Sequence, residues 1–188
     1  MINFFGIKSF NLNFSKKYKL GQLHQIDVLG ESAYGWSSAK NKNKYIYMYN
    51  ELIYEFKKNC LKLGIDKKVI ENGKITINVQ IKKPFGDKTR FHTDRTIVNC
   101  AFPISKSNQR ADLIMLKLKH NFITSIITKI FNFFNIQEYL KNLEINANFI
   151  KKIRYKENAL NFFYGQFLHS VPKSSDKRIV LLINLKKN

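Results

Sequence analysis

The sequence predicts a mainly β or α+β domain, and two observations carry that prediction. Apolar residues recur at helical spacing in residues 41–63, whereas most of the chain from residue 74 onward shows the period-two alternation and β-branched residues of strands. Because runs of strands dominate, rather than single strands alternating with helices, a parallel βαβ sheet is not expected. A length of 188 residues without a repeat or a long linker favours one domain over residues 1–188.

The first elements of the chain are a helix followed by two strands. In residues 41–63, "NKNKYIYMYNELIYEFKKNCLKL", apolar side chains recur every three or four positions, and Gly64 ends the helix. We assign residues 1–70 as a whole to a helical region that supports the rest. Residues 74–83 and 89–102 alternate on either side of the turn "KPFGDK", which predicts two strands.

The next elements are a second helical segment and three strands. Residues 113–142 return to helical spacing and predict a helix inserted in the strand-rich core of residues 74–186. That helix packs an aromatic face on the sheet or, alternatively, presents a basic amphipathic surface to a membrane or a partner. Alternation resumes in residues 159–164, 166–171 and 178–185, which predicts the last three strands.

The net charge is +20, from 33 lysines and arginines against 13 acidic residues. A charge of this size favours encounters with polyanions such as nucleic acid or an anionic membrane, and with an anionic substrate. Most of the positive charge is lysine, however, and a biased genome composition with a merely solvated basic surface explains it as well. Nucleic-acid binding is therefore left open rather than favoured.

The cysteines and the apolar segments indicate the cellular compartment in which the protein is expected. Cys60 and Cys100 are too few for a disulfide framework and have no metal-binding spacing. The N-terminus lacks the basic start, long apolar run and cleavage site of a signal peptide. The most apolar window, residues 122–134, is shorter than the roughly 20 residues that span a bilayer. We expect a soluble, cytoplasmic protein without a transmembrane segment.

The stretch "TRFHTDRT", residues 89–96, carries the side chains most relevant to chemistry. Positions i and i+2 of a strand face the same side, so His92 and Asp94 would project together, and the same parity brings His169 to one face of a later strand. Two histidines and one carboxylate on one face of an octahedral metal leave three positions open, as in non-haem Fe(II) oxygenases. A hydrolytic zinc site with the same ligands is the alternative. His-x-Asp alone arises by chance, but Arg178 following His169 makes coincidence a poor explanation.

The order of these residues resembles the Fe(II)- and 2-oxoglutarate-dependent oxygenases, in particular their prolyl-hydroxylase-like branch. The family pattern is His-x-Asp, a long gap, a second His and an Arg about nine to eleven residues later. The matching stretches here are "HTD" and "LHSVPKSSDKRIVLLINL", and the resemblance covers residues 74–104 and 157–186. It implies a double-stranded β-helix, the jelly-roll or cupin-like barrel, with helices packed outside.

The resemblance also implies the roles of the site residues. His92, Asp94 and His169 would be the Fe(II) ligands and thus the catalytic residues. Arg178 would bind the distal carboxylate of 2-oxoglutarate, since a planar guanidinium pairs with a carboxylate through two hydrogen bonds. The implied dioxygenase consumes O2 and 2-oxoglutarate, releases succinate and CO2, and hydroxylates a C–H bond of an unidentified substrate. Retention of Asp94 favours hydroxylation over halogenation.

Some positions depart from the family pattern. Many members carry a Ser or Thr two residues after the Arg, where this chain has Val180. Tyr155 and Tyr164 are the candidates for a replacement hydroxyl at the 2-oxoglutarate site. Arg90 has the strand parity of the first ligand and is the candidate for binding an acidic group on the substrate. Asn99 is a candidate to line the site on spacing alone.

Two further functions remain open. The first is a basic barrel that binds nucleic acid without catalysis, which rests on the charge of +20 and predicts steeply salt-dependent binding. The second is a nucleic-acid demethylase of the same superfamily. Those enzymes repeat an arginine at the position that Asn184 occupies here, which ranks this activity below hydroxylation.

Overall fold

The computed structural model describes residues 4–12, 46–82, 89–103, 112–119, 121–142, 148–173, 175–176 and 178–188. Among these residues lie nine strands and four helices. The strands are β1 (Ile7–Asn11), β2 (Lys74–Lys82), β3 (Thr89–His92), β4 (Val98–Pro103), β5 (Leu113–Lys119), β6 (Ile150–Ile153), β7 (Ala159–Phe163), β8 (Phe167–Val171) and β9 (Arg178–Lys186). The helices are α1 (Ile46–Lys62), α2 (Lys67–Asn72), α3 (Phe122–Phe133) and α4 (Ile136–Asn142).

The strands form two antiparallel sheets. The larger sheet has the order β1-β7-β4-β9-β2 and the smaller has the order β3-β8-β5-β6. Most neighbours within a sheet are distant in sequence, so the chain crosses repeatedly between the sheets, as it does in a jelly roll. The described strands leave two edges on each sheet, and the sheets are therefore not closed into a barrel.

Apolar side chains pack in three layers around these sheets. In the first layer α1 covers the larger sheet, and the Phe56 ring stacks on Phe162 with centroids 5.4 Å apart. The second layer lies between the sheets and joins residues of β4, β7 and β9 to residues of β5 and β8. In the third layer α3 and α4 cover the smaller sheet, where Phe91 meets the edge of Phe131 at 5.7 Å. The second and third layers fix the strands that carry the candidate site.

The first predicted helix is confirmed over Ile46–Lys62, and residues 41–45 lie outside the described part. Gly64 ends it as expected, because its φ of 74° is in the left-handed region, which glycine adopts without strain. The strands predicted at residues 74–83, 159–164, 166–171 and 178–185 are confirmed to within one or two residues at each end. The turn predicted at "KPFGDK" lies outside the described residues.

The prediction of a helix over residues 113–142 is wrong in its first part. Leu113–Lys119 is β5, an inner strand of the smaller sheet, and helical structure begins only at Phe122. Its first four residues are all buried because both faces are covered, one by the other sheet and one by α3 and α4. A strand buried on both faces has no polar alternation, and a short apolar run of this kind cannot be told from helix by periodicity. The inserted helices therefore follow a core strand and do not replace it.

Three other features differ from the sequence predictions. The single strand expected at residues 89–102 is two strands, β3 and β4, in different sheets, with the chain crossing between them at residues 93–97. The region 1–70 contains β1, an edge strand, as well as helices. The four-residue strand β6 was not predicted. No helix in the described part of the chain is both long and apolar enough to cross a membrane.

Candidate metal site and adjoining cavity

Two histidines lie side by side on neighbouring strands. His92 ends β3 and His169 lies in the middle of β8, and the antiparallel register pairs these two residues directly. Directly paired residues on antiparallel strands point to the same face, so the two rings lie with centroids 4.4 Å apart. His169 is buried, whereas His92 is partly exposed. The edge of the smaller sheet thus offers two imidazoles at one point.

Asp94 reaches the same point from the turn that follows β3. Its backbone N–H donates to the carbonyl of Gly165 at 2.7 Å, which ties the turn to the segment before β8. Its Oδ1 lies 3.6 Å from His92 Nε2, and its Oδ2 lies 3.4 Å from His169 Nε2. One nitrogen of each ring and a carboxylate oxygen all lie within 4.8 Å of one another, a group that can hold a metal ion. Strand parity predicted this meeting, although β3 ends at His92 and a turn, rather than a strand, carries Asp94.

Each histidine ring is oriented by a backbone carbonyl two residues before it. His92 Nδ1 lies 2.7 Å from the carbonyl oxygen of Arg90, and His169 Nδ1 lies 2.8 Å from that of Phe167. A neutral imidazole that donates from Nδ1 to a carbonyl keeps the lone pair on Nε2, the usual arrangement of metal-bound histidine. Both Nε2 atoms face Asp94, so the three residues fit a divalent metal with two nitrogen ligands and one oxygen ligand.

The carboxyl of Asp94 is held in its charged form. Burial raises the pKa of this group, but when the two rings carry a positive charge the hydrogen bond and charge of His169, the charge of His92 and a hydrogen bond from Asn99 outweigh burial and bring the pKa below its ordinary value. A metal ion bound to neutral rings would supply the positive charge instead. Asn99 Nδ2 donates that bond to Asp94 Oδ2. Asn99 therefore contacts the candidate ligand set, as its spacing suggested, through the one carboxylate in the set.

A cavity of about 190 Å³ opens beside these three residues. It is lined by His92, Asp94, Arg95, Thr96, Leu113, Tyr155, Phe163, His169, Val171, Arg178, Val180, Leu182, Asn184 and Lys186. Most of these residues come from β5, β7, β8 and β9, so the cavity lies between the two sheets. The candidate metal ligands and Arg178 thus share one space.

Arg178 is buried and is held by Asp112. Its Nε lies 3.6 Å from Asp112 Oδ1, and its Nη1 donates to the Asp112 carbonyl at 3.2 Å. Asp112 also accepts the backbone N–H of Tyr155 at 2.8 Å, and the Arg178 guanidinium lies 5.7 Å from the centre of the Tyr155 ring. A guanidinium has five N–H donors, and Asp112 engages its Nε and Nη1 atoms. Arg178 is therefore oriented in the cavity wall, with further N–H donors for which the described residues provide no partner.

The two tyrosines predicted from sequence lie in different places. Tyr155 lines the cavity beside Arg178, whereas Tyr164 packs against the ring of Phe167 and is not among the described residues that line the cavity. Burial raises the pKa of Tyr155 far more than Arg178 lowers it, and burial also raises the pKa of Tyr164. The Tyr155 phenol thus keeps its proton at neutral pH and is a hydrogen-bond donor there.

Arg90 is exposed and is not among the described residues that line the cavity, so its role as a substrate contact stays a prediction. Regular strand alternation would place Arg95 on the face opposite His92, but Arg95 lines the cavity because the strand ends before it. Lys186, at the end of β9, lines it as well. Sequence reasoning missed both residues, and it missed Asp112 because that residue precedes a strand that was expected to be helix.

Two buried polar atoms beside Asp94 have no partner among the described residues. They are Thr96 Oγ1 and Asn99 Oδ1, and Thr96 lines the cavity. A buried polar atom without a hydrogen bond is costly in a folded protein, and such atoms are often satisfied by a ligand or an ordered water. Their place next to Asp94 is consistent with a polar occupant of the cavity.

Three solved structures that share this fold have low sequence identity to the chain. SnoK, a non-heme alpha ketoglutarate dependent carbocyclase from nogalamycin biosynthesis, matches 97% of this chain and 79% of its own, with TM-score 0.60 and 9% identity. The viral collagen prolyl hydroxylase of Paramecium bursaria Chlorella virus-1 matches 97% of this chain and 90% of its own, with TM-score 0.57 and 11% identity. A prolyl-4-hydroxylase of Pseudomonas putida matches 89% and 78%, with TM-score 0.50 and 12% identity.

No family model and no curated protein matches the sequence itself. Identities near one residue in ten leave the fold as the property that these structures share with the chain. The two sheets, their crossovers and the helices outside them are what the sequence resemblance implied. The chain has the double-stranded β-helix fold of the Fe(II)- and 2-oxoglutarate-dependent oxygenases.

Proposed function

We propose that this protein is an Fe(II)- and 2-oxoglutarate-dependent dioxygenase that hydroxylates a C–H bond of an anionic substrate. One observation carries the proposal: two Nε2 atoms and a carboxylate meet in the lining of a cavity whose wall also holds a buried arginine. The donor set suits Fe(II) with open positions for a co-substrate. The arginine suits a dicarboxylate that enters the same space.

In this proposal His92, Asp94 and His169 hold the iron, which supplies O2 activation coupled to decarboxylation of 2-oxoglutarate when it is bound. The protein's part is to hold these ligands in place. The carbonyls behind both rings fix the Nδ1–H tautomer, and Asn99 orients the carboxylate. The buried position of His169 keeps water from that side of the site.

The 2-oxoglutarate carboxylate far from the metal would pair with Arg178. Asp112 fixes the guanidinium before the ligand arrives, so little side-chain entropy is lost on binding. Many family members bind this carboxylate with a Ser or Thr hydroxyl at the position of Val180. We assign that role to the hydroxyl of Tyr155, because Tyr155 lines the cavity next to Arg178 and stays protonated. Tyr164 is not among the described residues that line the cavity, so we do not assign it the same role.

The substrate would present an anionic group to Arg95 and Lys186. Both side chains are exposed and both line the cavity, so they lie at its solvent side while Arg178 is buried. Two cations at an entrance attract and orient a carboxylate or a phosphate. This assignment replaces Arg90 as the first substrate contact to test, since Arg90 lies outside the cavity lining.

The test is succinate formation from 2-oxoglutarate by iron-loaded protein in air. We expect succinate from the wild type and from Ser170→Ala, which alters a buried neighbour of His169 on the opposite face of β8. His169→Ala and Arg178→Ala should abolish it. Succinate formation that survives both changes, or equal rates with iron and zinc, would overturn the proposal.

A second candidate, binding of nucleic acid without catalysis, is supported by the charge of +20. It predicts an affinity for RNA or DNA that falls steeply with salt and is unchanged when His169 is replaced by Ala. A demethylase of the same fold would combine both activities and would show succinate release stimulated by methylated nucleic acid. If the protein binds no nucleic acid at low salt, both the binding function and the demethylase activity are excluded.

A further inference from the structure

We propose that α3 is a docking surface for anionic membranes, which it binds by lying flat in the headgroup region. Four residues of α3 recur at helical spacing and are exposed: Ile123, Ile126, Ile130 and Phe133. Phe122 and Phe134 extend the same surface at the two ends of the helix, and both are more than 60% exposed, at 81% and 66%. We call these six residues the α3 apolar face.

The opposite side of α3 holds the helix firmly on the protein. Phe131 packs edge-on against Phe91 of β3, with ring centroids 5.7 Å apart. The side-chain amide of Asn132 accepts the Phe91 backbone N–H at 2.8 Å and donates to the Phe91 carbonyl at 3.0 Å. Asn121 caps the helix by accepting the backbone N–H of Thr124. The α3 apolar face is thus displayed by an anchored helix.

The α3 apolar face is large for a protein that meets only water. Its three phenylalanines, exposed by 66% to 81%, contribute about 450 Å² of side-chain surface at the usual size of a phenylalanine. The largest apolar patch on an ordinary monomer is about 300 to 600 Å² in total, and the three isoleucines add to the phenylalanine area. A patch of this size marks a surface that binds something apolar.

The charges around the α3 apolar face favour a lipid surface over a second copy of the chain. Lys129 is the one charged residue within α3, and Lys117 and Lys119 lie exposed on the strand that leads into it. Tyr139 on α4 is also exposed, and tyrosine favours the membrane interface. A second copy would bring a like charge of +20 to the contact, whereas an anionic bilayer brings the opposite charge.

An exposed apolar helix face with lysines on the same helix and on the strand before it is the pattern of helices that lie in a membrane interface. Binding by this face does not depend on a metal or on the oxygenase proposal, because no residue of the candidate site contributes to it. The expected ligand is a bilayer that contains anionic headgroups.

The experiment is co-sedimentation of the full chain with vesicles of phosphatidylcholine alone and of phosphatidylcholine with phosphatidylserine, at an ionic strength of about 0.15 M. We expect binding to the mixed vesicles and little to the neutral ones. The double variant Phe133→Ser, Phe134→Ser should weaken binding about ten-fold or more, because two large apolar side chains no longer enter the bilayer. Ile126→Ser, Ile130→Ser is a second test on the same face with the same expected direction.

The matched control is Tyr54→Ser, Leu61→Ser, which removes two exposed apolar residues from α1 on the larger sheet. This control should bind within two-fold of the wild type, and thermal melting should confirm that every variant is folded. Equal loss of binding in the control, full binding by both α3 variants, or equal binding to neutral vesicles would overturn the proposal. So would a dimer in solution that the Phe133→Ser, Phe134→Ser variant dissociates, because that result assigns the face to a second copy.

Discussion

Gly165 is the position at which one added methyl group tests the candidate metal site most sharply. A Cβ built there would lie 2.6 Å from Asn99 Nδ2 and 2.9 Å from the Cβ of Asp94, and closer still to Thr96 Oγ1. These neighbours belong to the turn that carries Asp94 and to the strand that orients it, and real Cβ atoms essentially never approach other atoms so closely. Gly165→Ala must therefore push the Asp94 turn away from β8.

The size of the effect follows from the crowding. Inserting a methyl group into a packed site costs about 1 to 3 kcal/mol, which for a chain of this length lowers the melting temperature by about 2 to 12 °C. The hydrogen bond from the Asp94 backbone N–H to the Gly165 carbonyl, which is 2.7 Å in the wild type, must lengthen as the turn moves. Changes in the residues that support metal ligands commonly lower metal affinity about 10- to 100-fold, and we expect a loss in that range.

The assay is anaerobic titration with Fe(II), or with Co(II) as a spectroscopic substitute, alongside thermal unfolding of the metal-free protein. The matched control is Gly73→Ala, where a Cβ would meet Leu185 Cδ1 at 2.6 Å and the Val69 carbonyl at 2.7 Å, away from the three candidate ligands. Both variants should lose stability, but only Gly165→Ala should lose metal affinity. A Gly165→Ala protein that is destabilised yet binds metal within two-fold of the wild type would refute the assignment of Asp94 as a ligand.

The remaining predictions concern the cavity wall, α3 and the core. Asp112→Ala leaves Arg178 buried without its ion pair and should cost about 3 to 5 kcal/mol in urea unfolding; adding Arg178→Met should recover part of that loss, and purely additive costs would contradict the coupling. Asn132→Leu removes two hydrogen bonds to β3, so it should lower the free energy of unfolding by about 1 to 3 kcal/mol and speed amide hydrogen exchange in β3. Unchanged exchange would show that these two hydrogen bonds do not hold β3 in place. Burial raises the pKa of Cys60 to about 12 and also raises the pKa of Cys100. Because both thiols then stay protonated between pH 7 and pH 9, they should react with a thiol reagent far more slowly than in the urea-unfolded chain, and equal rates would contradict the buried placement.

The sequence predicted the fold well where a strand or helix has one solvent-facing side. The helix over Ile46–Lys62 keeps its periodicity for that reason. The pattern failed at Leu113–Lys119, whose first four residues are buried on both faces, and at the short strand Ile150–Ile153. A local pattern reports which residues meet water, and it is silent when neither face does.

The sequence predicted that the three candidate ligands lie close together, but it did not predict the residues around them. His92, Asp94 and His169 meet because β3 pairs with β8 in a register that places His92 opposite His169, and the i, i+2 spacing of His92 and Asp94 had placed those two side chains together. The ion pair of Asp112 with Arg178 joins residues 66 positions apart, and no spacing rule relates them. Arg95 lines the cavity, whereas Arg90 was predicted to do so, because β3 ends at His92. Periodicity locates the end of a strand only to within a few residues.

The most direct test of the oxygenase proposal is to measure the binding of 2-oxoglutarate without air, both by calorimetry and by the visible charge-transfer absorption of an iron complex. We expect one 2-oxoglutarate per iron-loaded protein and none without metal. His169→Ala should abolish this binding, and Arg178→Lys should weaken it while iron still binds. Binding of 2-oxoglutarate that needs neither the metal nor these two residues, or no binding to the iron-loaded protein at all, would contradict the oxygenase proposal.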